Sequence, residues 1–123
     1  MDLDNAIQKH AEWKFKFRQA LQNNELMDVA AISKDNNCEF GKWLHGEAKA
    51  LFGNDASYAK CVAAHASFHK EAGKVAAAIN AKKMEAAELL MAKESQFTDV
   101  SKTVAVSIIE LKNTKHMKSA TQK

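Results

Sequence analysis

The sequence predicts an all-α protein, an antiparallel four-helix bundle with a short additional helix or loop. The 123 residues include no proline and only four glycines, the two residue types that interrupt helices. Alanine, lysine, glutamate and methionine, which favour helices, are abundant. Apolar residues recur at the i, i+3, i+4, i+7 spacing of a helix face, and no stretch alternates apolar and polar residues between turns, as a strand would.

The first two long helices are predicted on either side of a polar stretch. The first runs from about Leu3 to Leu21. Its apolar face consists of Leu3, Ile7, His10, Phe17 and Leu21, with Trp13 beside it. A short helix near residues 26–32 and a polar break at "SKDNN" come next. The second runs from near Cys38 to Leu51. The short additional helix or loop before it is expected to carry Cys38.

The third and fourth helices are predicted from two longer apolar stripes. The third runs from about Ser57 to Ala81, and its stripe includes Cys61, His65, Phe68, His69, Val75 and Ile79. The fourth runs from about Lys83 to Asn113, with apolar residues seven apart at Leu90, Phe97, Val104 and Leu111. At 1.5 Å per residue this helix would be roughly 45 Å long, longer than a small bundle, so we expect part of it to extend beyond the bundle or to pack on another chain. We therefore predict a homodimer.

Composition and charge limit the domain count and the partners. We expect one domain at residues 1–115, followed by a flexible basic tail at 116–123. Residues 112–123 contain four lysines and no acidic residue, so the rest of the chain is not basic and a nucleic-acid partner is not expected. No apolar run approaches the ~20 residues that cross a bilayer. The N-terminus lacks the order of a signal peptide, so we expect no membrane partner and a cytoplasmic location.

Three histidines and one cysteine interrupt the apolar faces or begin a helix. His65 and His69 are four residues apart in "HASFH" and project from one side of the third helix. His10 lies on the face of the first helix, and Cys38 stands at the start of the second. Burial of three imidazoles without partners would cost several kcal/mol. A Zn²⁺ ion would satisfy a nitrogen on each imidazole and the thiolate, and three nitrogens with one sulfur suit tetrahedral zinc.

Simpler interpretations stay open for each residue. A lone histidine on an apolar face is more often a hydrogen-bonded core residue than a ligand, and Cys38 alone would be a packed thiol. Cys61, in alanine-rich surroundings, is predicted to be a core thiol, and His45 and His116 are predicted to be exposed and not ligands. The residues expected to pack around the site are Trp13, Trp43 and Phe68. The methionines, including Met84 and Met91, are predicted to fill the core.

The order of these motifs is similar to that of one known family. His10 with Trp13, then "CEFGKWLHG" from Cys38, then "HASFHKEA" from His65 resembles the chemoreceptor zinc-binding domain (CZB) family. This family occurs in bacterial chemotaxis receptors, some diguanylate cyclases and some stand-alone proteins. The resemblance implies a helical bundle that binds one Zn²⁺ per chain through His10, Cys38, His65 and His69. It also implies dimers and a sensory role, through zinc availability or oxidation of a redox-reactive Cys38 by hypochlorous acid.

Other functions are weighed against this sensor. A zinc hydrolase is not expected, because four protein ligands leave no open position and Ala66 stands where a zinc protease carries its general base. A di-iron bundle needs Glu-x-x-His spacing, which the sequence lacks. The remaining alternative is a structural zinc-stabilised bundle that mediates protein–protein interaction without redox sensing. The 123 residues leave no room for an output module, so we expect a signalling partner or a fused output domain outside this sequence.

Overall fold

The computed structural model describes residues 1–121, with side chains to Thr114, and this part of the chain contains helices and no strand. The helices are α1 (Leu3–Ala11), α2 (Trp13–Asn23), α3 (Val29–Ser33), α4 (Glu39–His45), α5 (Glu47–Phe52), α6 (Ala56–Asn80), α7 (Met84–Leu90) and α8 (Gln96–Thr121). The predicted all-α class is confirmed. The antiparallel four-helix arrangement stays a prediction.

Helix α6 is the centre of the fold, because it contacts α2, α3, α5, α7 and α8. The hydroxyl groups of Ser57 and Thr114 lie 3.0 Å apart near the start of α6 and the end of α8. The rings of Phe68 and Phe97 lie 5.6 Å apart further along, so these two helices run antiparallel. Both helices contribute to one hydrophobic core, in which Val75 and Ile79 of α6 and Val104, Ile108 and Leu111 of α8 are buried.

Two of the predicted helices are each divided in two. The first is interrupted at Glu12, which keeps right-handed helical dihedral angles, so α2 continues from α1 without a loop. The second ends at Gly46, whose φ of −109° and ψ of −102° lie outside the helical region. Predicting these two stretches as single helices was wrong, although the short helix near residues 26–32 is present as α3.

The predicted fourth helix is also divided, at residues 91–95. The Ser95 hydroxyl accepts a hydrogen bond from the backbone N–H of Thr98 (3.2 Å) and so caps the start of α8. Helix α7 folds back against α6 through the turn at residues 81–83. The apolar residues spaced seven apart do not need a second chain to cover them, because Phe97, Val104 and Leu111 are buried within the chain itself. The homodimer therefore stays a prediction that this row does not support.

Polar contacts fix α3 and α4 on the central helix. The Asn80 side chain exchanges two hydrogen bonds with the backbone of Met27, through its carbonyl oxygen (2.8 Å) and its amide nitrogen (2.7 Å). The Tyr58 hydroxyl donates to the carbonyl of Leu44 (2.7 Å). These bonds join the segment before α3 to the last residue of α6, and the end of α4 to the first turn of α6.

Two boundary predictions are left without a test. The single domain at residues 1–115 stays a prediction. The flexible basic tail at 116–123 has its side chains outside the described part, so it stays a prediction as well. Within the described residues, none of the helices has the length and apolar content to cross a membrane.

Candidate metal centre

Four side chains predicted as ligands meet at one point inside the fold. His10 lies near the end of α1, His65 and His69 lie one turn apart in the middle of α6, and Cys38 is the residue that precedes α4. One potential ligand atom from each lies within 4.8 Å of those of the other three. The three histidines are buried and Cys38 is half-buried.

The distances between donor atoms match the size of a tetrahedral zinc site. Typical Zn–N and Zn–S bond lengths place two nitrogens about 3.3 Å apart and a nitrogen and a sulfur about 3.6 Å apart. The Nε2 atoms of His65 and His69 lie 3.0 Å apart. The Sγ atom of Cys38 lies 3.4 Å from His65 Nε2 and 3.7 Å from His69 Nε2. Three donors thus already have the separations that one ion requires.

Backbone carbonyls orient two of the imidazoles. The Nδ1–H group of His10 donates to the carbonyl of Ala6 (2.7 Å), and the Nδ1–H group of His69 donates to the carbonyl of Ile32 (2.8 Å). With Nδ1 protonated, each ring keeps a free lone pair on Nε2. Among the described residues, the buried Nε2 of His10 has no hydrogen-bond partner. A buried acceptor without a partner is costly, and an ion bound beside it would satisfy it.

The electrostatic environment keeps the imidazoles uncharged. Burial lowers the pKa of His65 to about 2, with a further contribution from the neighbouring His69 and His10. Burial also lowers the pKa of His69. The pKa of His10 is lowered by burial and, to a smaller extent, by His69 and Lys16. Neutral imidazole is the form that binds a metal ion, so these side chains are ready to bind at neutral pH.

Cys38 is positioned by the first turn of α4. Its sulfur accepts a hydrogen bond from the backbone N–H of Gly41 (3.3 Å), as an N-cap side chain does. Burial raises the pKa of the thiol, and the backbone N–H groups of the same turn oppose this rise. A bound Zn²⁺ would favour the thiolate. A side-chain carbon at Gly41 would overlap the carbonyl oxygen of Asp35, so only glycine lets the loop before Cys38 pack this closely against α4.

Aromatic rings pack against the histidine donors. The ring centroid of Phe68 lies 5.0 Å from that of His10, and Trp13 packs on Phe17 at 5.3 Å. Trp43 lies one layer further out, 6.0 Å from Phe40. Sequence reasoning did not assign Phe40 to the site, yet its ring lies 5.1 Å from His65 and 5.7 Å from His10. Phe40 lies two residues after Cys38, on the buried face of α4, and this position could have indicated its place beside the site.

The residues predicted to lie outside the site have mixed outcomes. Cys61 is fully buried, and burial raises the pKa of its thiol to about 11, which agrees with a core thiol. His45 is exposed as predicted, but its Nε2 lies 2.9 Å from the Asp35 carboxylate, a contact the sequence did not suggest. Met91 fills the core, whereas Met84 is 59% exposed, so its assignment to the core was wrong. The side chain of His116 lies outside the described residues.

Comparison with protein families supports the same chemistry. A family model described as the chemoreceptor zinc-binding domain, CZB, matches residues 10–76, which include all four donors. Comparisons with curated proteins and with solved structures give no match. The family match and the group of three histidines and one cysteine together support zinc binding. The chain belongs to the chemoreceptor zinc-binding (CZB) domain family.

Proposed function

We propose that the chain is a non-catalytic sensory domain that holds one Zn²⁺ through His10, Cys38, His65 and His69. The signal is zinc availability, oxidation of Cys38 by hypochlorous acid, or both, in bacterial chemotaxis or cyclic-di-GMP signalling. The observation that carries the proposal is the buried Nε2 of His10, which lacks a partner and lies in one cluster with three donors at zinc-site separations.

The chemistry of the redox signal resides on one sulfur atom. When bound, zinc keeps Cys38 in the thiolate form, which is the form that oxidants attack. The thiolate sulfur attacks the oxygen of hypochlorous acid, the S–O bond of a sulfenic acid forms, and the O–Cl bond breaks. Chloride leaves with the bonding electron pair, so the sulfur is oxidised by two electrons and the chlorine is reduced. Cys61 takes no part, because it is fully buried with a raised thiol pKa.

The position of Cys38 converts this reaction into a local movement. The sulfur links the 34–38 loop to the first turn of α4 through the Gly41 N–H group. The far end of α4 is held independently, by the bond from Tyr58 to the Leu44 carbonyl and by burial of Leu44. Loss of the cysteine from the donor set therefore frees the loop and the start of α4 without unfolding the rest. A change of about 1.4 kcal/mol shifts such an equilibrium tenfold.

Stoichiometric oxidation tests this function directly. We expect one equivalent of hypochlorous acid to oxidise Cys38 before Cys61 or the methionines, and hydrogen exchange to increase across residues 33–46. Peptide mass spectrometry, a zinc-release assay and hydrogen exchange provide the readouts, and a Cys38→Ser variant is the matched control. If Cys38 oxidises and exchange across 33–46 stays the same, the domain is a structural zinc-stabilised bundle, and the sensory proposal is wrong.

Removal of zinc has a separate expected outcome. The hydrophobic core includes Val75, Ile79, Val104, Ile108 and Leu111, none of which is a metal donor, so the metal-free chain should keep most of its helix content. Its melting temperature should fall, because a ligand that binds only the folded state stabilises that state by mass action. Circular dichroism before and after chelation measures both quantities. Complete loss of helix on chelation would contradict this expectation.

The remaining parts of the proposal concern context. Four protein donors leave no open coordination position for a substrate, which supports a role without catalysis. We further propose a cytoplasmic domain that forms homodimers and passes its signal to a signalling partner or a fused output domain. Without a basic surface in the predicted domain, nucleic acid is not among the proposed partners.

A further inference from the structure

A cavity of about 340 Å³ lies between α1, α2 and the start of α4, and Cys38 is one of its lining residues. We call it the thiol cavity. His10, Trp13 and Phe40 also line it, so it reaches the cluster of donors from the side of α1. A neighbouring cavity of about 280 Å³, between α1, α2 and α8, touches His10 but not Cys38. A third cavity lies beside residues 33–37, and Cys38 is not among its lining residues.

The charged side chains around the thiol cavity are not equivalent. Lys9 lies 3.9 Å from the Glu39 carboxylate, so these two charges offset each other. The Asp2 carboxylate accepts a hydrogen bond from the backbone N–H of Asn5 at the start of α1. The ammonium group of Lys16 lies 4.7 Å above the ring of Trp13, and within the described residues it forms no ion pair. Lys16 thus adds an unpaired positive charge above one wall of the cavity.

Lys16 lies in the same cavity lining as His10 and Cys38. A positive charge at a cleft raises the local concentration of anions and speeds their association. Lys14 is two residues away on the same helix but lines the neighbouring cavity, which Cys38 does not line. Lys16 therefore lines the thiol cavity, whereas Lys14 lines the neighbouring one.

We propose that the thiol cavity is the route by which small anionic oxidants reach Cys38, and that Lys16 gives this route its preference for anions. With hypochlorite, the thiolate sulfur of Cys38 gains the S–O bond, the O–Cl bond breaks and chloride leaves with the bonding pair, while a proton from water ends on the sulfenic oxygen. Hypochlorite is the conjugate base of the hypochlorous acid named above, so the identity of this oxidant rests on the proposed function. The route itself does not, because it concerns access to the thiol in any state of the site.

The test compares Lys16→Glu with Lys14→Glu in the metal-free full chain. Both variants change the net charge equally on the same helix, so Lys14→Glu is the matched control. The anionic probe is 5,5′-dithiobis(2-nitrobenzoate), whose disulfide the thiolate cleaves with release of one aryl thiolate. The neutral probe is 4,4′-dithiodipyridine, which reacts by the same exchange. Peptide mass spectrometry assigns the modification to Cys38 or Cys61.

We expect Lys16→Glu to slow the reaction of Cys38 with the anionic probe by about 3–10-fold at low salt, and this loss should shrink at high salt, where charges are screened. The rate with the neutral probe should stay within about twofold, because a surface charge does not attract an uncharged molecule. A change in thiol pKa would instead alter the rates with both probes alike. Lys16→Gln should give an intermediate effect. Equal slowing by Lys14→Glu, equal slowing of both probes, or an effect independent of salt would overturn the proposal. None of these results would alter zinc binding, so failure of the route is distinguishable from failure of the sensor.

Discussion

Replacing His65 with alanine is expected to lower the zinc affinity of the domain by more than ~100-fold. Loss of a group that merely hydrogen-bonds to a metal ligand already lowers metal affinity by about 10–100-fold, and loss of the ligand itself should cost more. His65 Nε2 lies 3.0 Å from His69 Nε2 and 3.4 Å from the Cys38 sulfur, so its removal takes away the donor that faces two others. A competition titration with a chromophoric chelator measures the affinity. Circular dichroism establishes that the variant is folded.

His65 is a better choice for this test than His69. The Nδ1–H group of His69 donates to the Ile32 carbonyl, so His69→Ala removes a metal donor and also one hydrogen bond between α6 and α3. The buried Nδ1 of His65 has no hydrogen-bond partner among the described residues, so His65→Ala removes a metal donor and packing volume but no hydrogen bond made by Nδ1. We expect His69→Ala to lower both zinc affinity and stability without metal, and His65→Ala to act mainly on affinity.

The matched control is His45→Ala. His45 is exposed and pairs with Asp35, outside the cluster of four donors. Its loss removes one support of the loop before Cys38, so zinc affinity should fall by about tenfold at most. If His65→Ala retained full zinc under a chelator that competes with the native site, or if His45→Ala lost as much affinity as His65→Ala, the assignment of the ligands would be wrong.

The sequence predicted the helical class and the four donors because both depend on local patterns. An apolar stripe at helical spacing identifies a helix, and a histidine within that stripe must point inward. The same stripes concealed the helix breaks, because the apolar pattern continues across Glu12 and across the 91–95 turn. The cap at the start of α8, where the Ser95 hydroxyl accepts from the Thr98 N–H, uses a residue type that is also common in exposed helix positions.

Features that depend on contacts between distant elements were not predicted. The pairing of Asp35 with His45 joins a loop to the end of a helix, and neither residue has a local pattern that indicates a partner. The contact of Phe40 with His65 follows from how α4 docks on α6. Gly41 belongs to the recognised motif, but the reason for a glycine there appears only when the Asp35 carbonyl is seen to lie against it.

Gly41→Ala is therefore expected to disrupt the site although it places a better helix former within α4. Alanine in a helix is favoured over glycine by about 1 kcal/mol. The new carbon would overlap the carbonyl oxygen of Asp35 and would lie 3.1 Å from the His65 ring. The overlap is with backbone, which cannot rotate away, so the loop before Cys38 must shift. We expect a net loss of about 1–3 kcal/mol in the free energy of unfolding and a fall of at least ~10-fold in zinc affinity.

Gly73→Ala combined with Ser33→Ala is the matched control. A carbon at Gly73 would overlap the Ser33 hydroxyl, which is a side-chain group that the second substitution removes. Ser33 is exposed, and among the described residues its hydroxyl bonds only to the Val29 carbonyl within its own helix, so its loss leaves no buried group unpaired. The double variant should retain zinc affinity within a few-fold, since the remaining contact with the Ser33 Cβ at 3.0 Å needs only a small shift. Chemical denaturation of the two variants measures the free energy of unfolding, and chelator titration measures their zinc affinity. A Gly41→Ala chain that is more stable than the parent and binds zinc equally well would show that the close approach of the loop does not position Cys38.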